Sequence, residues 1–141
     1  MNKQALDNLV KIHKLHTEPR DSAEVDGLIR SGTVRLKDAA LETLSIESRF
    51  DLAYNAAHAL SLAALRQLGY RSDNRYLVFQ CLQHTLELAP AKWRVIDQAH
   101  RKRNLAEYEG IVDVDEASVE SLLRIAEEIR LAVLDLTGHD E

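Results

Sequence analysis

Little in this chain tells a helix to stop. Five glycines and two prolines in 141 residues leave few breakers, so long helices are expected. The single cysteine, Cys81, excludes an intramolecular disulfide and a cysteine-based zinc site within the chain. It lies in an apolar run and reads as a small core residue. No stretch reaches the roughly 18 apolar residues of a membrane span, so no membrane partner is expected. The amphipathic start MNKQALDNLVKIHK lacks a signal-peptide core, and a cytoplasmic location follows as the expectation. No Gly-rich phosphate loop, His-Glu-x-x-His or Gly-x-Ser-x-Gly is present. Alternating period-2 runs of useful length are missing, so strands find no support. The six histidines are scattered. His13 and His16 can share a helix face at i,i+3, but with no third ligand nearby they read as a solvated face, and neither metal nor cofactor is expected. Glu127, Glu128 and Glu141 read as surface. Glu107, Glu109, Asp113 and Asp115 straddle a helix end without paired geometry.

What remains suits one all-α domain: 45% hydrophobic and 29% charged residues at a length that buries a real core. Residues Asn2–Leu15 place Leu6, Leu9, Val10 and His13 on one face of a first helix, ended at Glu18-Pro19. Asp21–Glu24 is a capping signal for a short helix, Glu24–Arg30, stopped by Gly32. Thr33 then caps Val34–Leu44, with Leu36, Ala40 and Leu44 inward. Ser48 and Asp51 form a capping-box-like signal for the most apolar helix, Arg49–Leu68. Phe50, Ala53, Ala57, Leu60, Ala64 and Leu68 line one of its faces, and Ala56, Ala59 and Ala63 extend it. A helix apolar nearly all round belongs at the centre; its polar tips Tyr54 and His58 read as satisfied side chains at the core edge. After Gly69, Arg75–Leu88 is the next helix, with Tyr76, Phe79, Leu82 and Leu86 inward. Pro90 opens the following one and Gly110 closes it. Asp113–Glu116 starts the last helix, whose inner stripe is Val119, Leu122, Ala126, Ile129, Val133 and Leu136. Gly138 ends it, and His139-Asp140-Glu141 reads as a frayed tail. The expected architecture is an up-and-down bundle of four to five core helices (33–138), preceded by an N-terminal helical extension (1–32).

One helix departs from simple packing. In Ala91–Tyr108, at about 100° per residue, Trp93, Ile96 and Ala99 share a face flanked by Val95 and Ala106. Arg103 falls near the middle of that arc, with His100 one turn behind and Glu107 one turn ahead. A buried charge is costly unless paired. Two readings follow: a structural Arg103–Glu107 ion pair at i,i+4, or a cationic site in a groove between helices. Arg offers a fixed fork for phosphate, Asn104 can orient it or contact a ribose, and Tyr108 can donate a hydrogen bond or stack on a base. The net charge of −5 argues against broad nucleic-acid binding but permits such a small basic site.

The run Ala-His-Arg-Lys-Arg-Asn-Leu-Ala-Glu-Tyr-Glu (Ala99–Glu109) resembles the final motif helix of HEPN domains. The alanine-rich helix Phe50–Gly69, with its aromatic-Asn-Ala-Ala pattern and terminal Leu-Gly, resembles their central helix. The resemblance spans about Val34 to Leu136. It implies a compact α-helical bundle, often a homodimer with the motif near the dimer cleft, and an activity among metal-independent ribonucleases, toxins or nucleotide binders. The nuclease motif is Arg, four to six residues, then His. Arg103 and Asn104 match its first half, but the window that follows holds Tyr108, Glu109 and Gly110 and no His, so the usual acid/base partner is missing. The candidate site residues are therefore His100, Arg103, Asn104, Glu107 and Tyr108, and the candidate catalytic groups, if there are any, are Arg103, His100 and Tyr108. Three functions compete: a non-catalytic module binding a nucleotide, RNA or protein; a divergent ribonuclease toxin with an antitoxin-like partner; and a purely structural interaction protein.

Overall fold

The alanine-rich helix at the centre of the sequence is also the centre of the computed structural model, which describes residues 1–139. In chain order the elements are α1 (Lys3–Lys11), β1 (His16–Thr17), α2 (Ser22–Ala39), α3 (Ile46–Gln67), β2 (Tyr70–Arg71), α4 (Arg75–Gln80), α5 (Leu82–Thr85), α6 (Pro90–Glu109) and α7 (Glu116–Thr137). The fold is an all-α bundle. Its alanines let neighbours approach closely, and Ala53, Ala56, Ala57, Ala63 and Ala64 of α3 are wholly buried. A core of Val25, Ile29, Leu60, Phe79, Leu82, Ile96 and Leu122 surrounds them.

Helix directions follow from the side chains that tie their ends. Arg49, near the start of α3, donates through Nε to the Ala39 carbonyl at the end of α2 (2.9 Å) and through Nη1 to Glu116 at the start of α7 (3.0 Å). Arg66, near the end of α3, pairs with Glu24 at the start of α2 (2.5 Å). Thus α3 runs antiparallel to α2 and parallel to α7. Lys92 of α6 reaches Glu128 (2.7 Å) and Lys102 reaches Ser118 (3.4 Å), so α6 runs antiparallel to α7. The four long helices alternate up and down, with α4 and α5 as the connection between α3 and α6.

Several boundaries differ from expectation. Gly32 does not stop a helix: α2 is continuous through it, and the residues read as two short helices form one. The glycine is there for space, because a Cβ would lie 2.5 Å from Leu60 Cγ. The boundary expected between residues 32 and 33 thus falls inside α2. This helix ends at Ala39, leaving Ala40, Leu41 and Leu44 exposed in the loop. Asp21 caps α2 as expected, accepting from the backbone N–H of Ala23 and Glu24. At α3 the cap is Ser45 rather than Ser48, accepting from Ser48 N–H, so the helix starts earlier. Helix α1 stops at Lys11; His13 is exposed with φ 62° and His16 lies in β1, so the two share no helix face. The single helix expected over Arg75–Leu88 is interrupted at Cys81 and closes before Glu87, whose φ is 53°. Pro90, Gly110 and Gly138 act as expected, both glycines adopting left-handed φ. His139 is tied down, its Nε2 lying 2.8 Å from Asp26 Oδ1; Asp140 and Glu141 fall outside the described residues. Among the described residues no helix is long and apolar enough to cross a membrane.

The N-terminal segment packs onto the bundle. Leu6 and Leu15 join Leu65, Tyr70, Leu77, Val78 and Cys81 in a second apolar cluster. β1 pairs antiparallel with β2, His16 opposite Arg71. Arg66, 1% exposed, fastens this junction by donating to the Glu18, Pro19 and Tyr70 carbonyls.

The two glycines of α2 make opposite predictions. Gly32→Ala should overpack against Leu60 and cost about 1–3 kcal/mol. Gly27→Ala, where nothing lies within 4 Å of an added Cβ, should stabilise by about 0.5–1 kcal/mol through helix propensity. Urea unfolding of both variants checks the pair.

Candidate functional site

Helix α6 is long, yet only Ile96 and Ala99 along it are fully buried. Its first half is anchored by Trp93, whose indole N–H donates to the Phe79 carbonyl at 3.1 Å. Its second half carries polar side chains against α3 and α4. Arg103 lays its guanidinium over the Tyr54 ring, 5.4 Å from the centroid, a cation–π approach. Its Nη1 is 2.5 Å from Glu107, and the two side chains are 23% and 44% exposed. The ion pair expected from spacing is therefore formed, and it is only partly removed from water.

His100 links the helices. Its Nδ1 is 2.9 Å from the Tyr54 hydroxyl and its Nε2 is 3.2 Å from the Asn104 side-chain amide. With that amide donating to Nε2, the ring proton sits on Nδ1 and is given to the Tyr54 oxygen. Burial lowers the His100 pKa below the ordinary range, and the nearby Arg103 guanidinium adds to this. His58, edge-on to Phe79 at 5.7 Å, is lowered further, to about 4, by burial and then by Arg75 and Arg103. Both imidazoles are neutral at pH 7. Tyr54 is raised, chiefly by burial, against the pull of the same two guanidiniums.

The structure thus brings together His100, Arg103, Asn104 and Glu107. It does not bring Tyr108 into the network: that side chain is 75% exposed and borders a shallow surface hollow with Arg101, Asn104, Leu105 and Glu109. Three residues outside the sequence-based set complete the cluster. Tyr54 supplies the ring and hydroxyl on which it is built. Arg75 of α4 also approaches that ring, at 5.8 Å, and donates to Asn55 Oδ1 at 3.0 Å. Beside them Asp97 accepts from Tyr76 (2.9 Å) and from Arg101 (3.1 Å). The Tyr54-Asn55 pair was visible as part of an aromatic-Asn pattern. Arg75 gave no local signal, because it reaches the site only through the turn between α3 and α4.

The opposite side of Arg103 opens into a cleft of about 350 Å³, lined among others by Glu47, Phe50, Asp51, Lys102 and Glu107. Three carboxylates against two cations make that side unfavourable for phosphate. Among the described residues no group of three or more His, Cys, Asp or Glu side chains is placed to hold a metal ion.

The lowered His58 pKa has a consequence for stability. The unfolded chain takes up a proton near the ordinary histidine pKa of about 6.5, whereas folded His58 resists until about 4. Stability is therefore lost as pH falls through this window, by about 2 kcal/mol between pH 7 and pH 5. His58→Gln should remove most of that loss, as read from urea midpoints at the two pH values. Compared with known proteins, the chain matches no family model and no curated protein.

Proposed function

We propose that this chain is a HEPN-like helical domain that binds a nucleotide or RNA segment through Arg103 and Asn104, without ordinary HEPN nuclease turnover. The observation that carries the reading is the guanidinium of Arg103, partly desolvated on Tyr54 and only partly occupied by the exposed carboxylate of Glu107. A guanidinium in this setting grips phosphate through two parallel N–H groups. The lack of nuclease chemistry is supported by the state of the bases. Both nitrogens of His100 are engaged, and Tyr108 stands away from the network in solvent. The divergent-toxin reading would need His100 to release Tyr54 or Asn104 in order to move a proton. The exposed apolar side chains at the end of α6, Tyr108, Ile111 and Val112, support a protein contact as well, either the homodimer or an antitoxin-like partner; light scattering giving a 15.9 kDa monomer at micromolar concentration would exclude the homodimer.

Arg103→Ala is the deciding variant. Anisotropy with a labelled single-stranded RNA should show at least a tenfold loss of affinity, about 1.4 kcal/mol, with a stability loss below about 1 kcal/mol, since the pair is open to water. Unchanged affinity with a larger loss of stability would mark the pair as packing alone. Cleavage of the RNA by the unmodified protein, abolished by His100→Ala, would make the toxin reading correct.

A further inference from the structure

The charges around Tyr54 do not balance. Three guanidiniums, Arg75, Arg101 and Arg103, face two carboxylates. Arg101 is paired with Asp97 and Arg103 with Glu107. Arg75 forms no ion pair among the described residues; its hydrogen-bond partner is the neutral amide oxygen of Asn55. Arg75 is thus the guanidinium on this face of Tyr54 that no carboxylate pairs among the described residues, and it is held by α4 rather than α6, while Glu47 and Asp51 lie on the cleft side of Arg103. Arg75 and Arg103 also converge on one ring from different helices, at 5.8 and 5.4 Å from its centroid. An anion that reaches both guanidiniums gains attraction from each of them.

We infer that Arg75 is the principal anion contact of this site, and that its ligand is a phosphodiester of single-stranded nucleic acid, seated between α4 and α6. This rests on the nucleic-acid reading above and specifies it. A phosphodiester carries one negative charge, which matches the single uncompensated guanidinium with both internal ion pairs intact. A terminal phosphate, closer to two charges at neutral pH, would have to displace Glu107 or leave charge unmatched. Arg103 and Asn104 then orient the chain, and Tyr108, one turn beyond Asn104 with an open ring face, lies where a neighbouring base can stack. Burial is the main cause of the lowered pKa values of both histidines, and Arg75 and Arg103 add to it in each, against Asp97 at His100.

The test uses the full chain and a fluorescein-labelled octaribonucleotide lacking terminal phosphates, with adenosine monophosphate as competitor. Arg75→Gln keeps a donor for Asn55 but removes the charge. It should weaken binding at least tenfold and flatten the salt dependence by about 0.7 in log–log slope, the value for one lost phosphate contact on a single strand. Arg75→Lys should restore the slope and part of the affinity. If Arg103→Ala abolishes binding while Arg75→Gln binds normally, the assignment to Arg75 fails and the nucleic-acid reading stands. If neither variant changes affinity, both fail. Competition by the mononucleotide at concentrations comparable to the oligonucleotide would overturn the diester assignment. Unfolding curves on the same samples separate lost binding from lost fold, and a binding-competent Arg75→Lys keeps the test decisive if the Gln variant does not fold.

Discussion

Leu60 of α3 occupies the space that Gly32 of α2 leaves empty, and the bundle is arranged around that contact. A side chain at position 32 would collide with the Leu60 branch point, so the helices lie as close as their backbones allow only where α2 has no Cβ. Alanines on the remaining faces of α3 extend the same close approach to α7. Close packing of this kind gains dispersion contacts per unit area, but it leaves no slack. The ends of the helices must therefore be held in register by something directional.

Two buried guanidiniums do this. Arg49 and Arg66 are 5% and 1% exposed; Arg49 donates to the Ala39 carbonyl and Glu116, and Arg66 to the Glu18, Pro19 and Tyr70 carbonyls and Glu24. Burying such charges is tolerable because carbonyl and carboxylate acceptors meet them. They are fixed parts of the frame. The arginines around Tyr54 are built differently. Arg103 is half-satisfied by a carboxylate that water can reach, and Arg75 is satisfied by a neutral amide. The same residue type thus serves as a clamp at the ends of α3 and as a responsive charge along its middle, and the difference lies in the partners supplied.

The polar network gives both ring nitrogens of His100, a candidate base in sequence, a side-chain partner. Tyr54 and Asn104 take both ring nitrogens, and burial with Arg103 nearby keeps the ring neutral. A base needs a free lone pair facing a reacting proton. Here the ring links α6 to α3 through the Tyr54 hydroxyl.

Short-range physics was legible in the sequence. The apolar circumference of α3, the Asp21 cap, Pro90 at the start of α6 and glycines 69, 110 and 138 each act within one or two turns, so residue order alone announces them. The i,i+4 geometry likewise placed Arg103 beside Glu107. Gly32 misled for the same reason: as a local signal it reads as a stop, and its real role depends on Leu60, a residue far away in the chain. The clamps of Arg49 and Arg66 and the approach of Arg75 to Tyr54 are of this second kind, invisible to periodicity because each pairs residues that only folding brings near. Residue order alone makes the chain helical and puts α3 at its centre, through side-chain volume and capping that operate locally. Which arginines hold the frame and which lie beside the Tyr54 ring emerges with the fold, because a charge is balanced by what surrounds it in space.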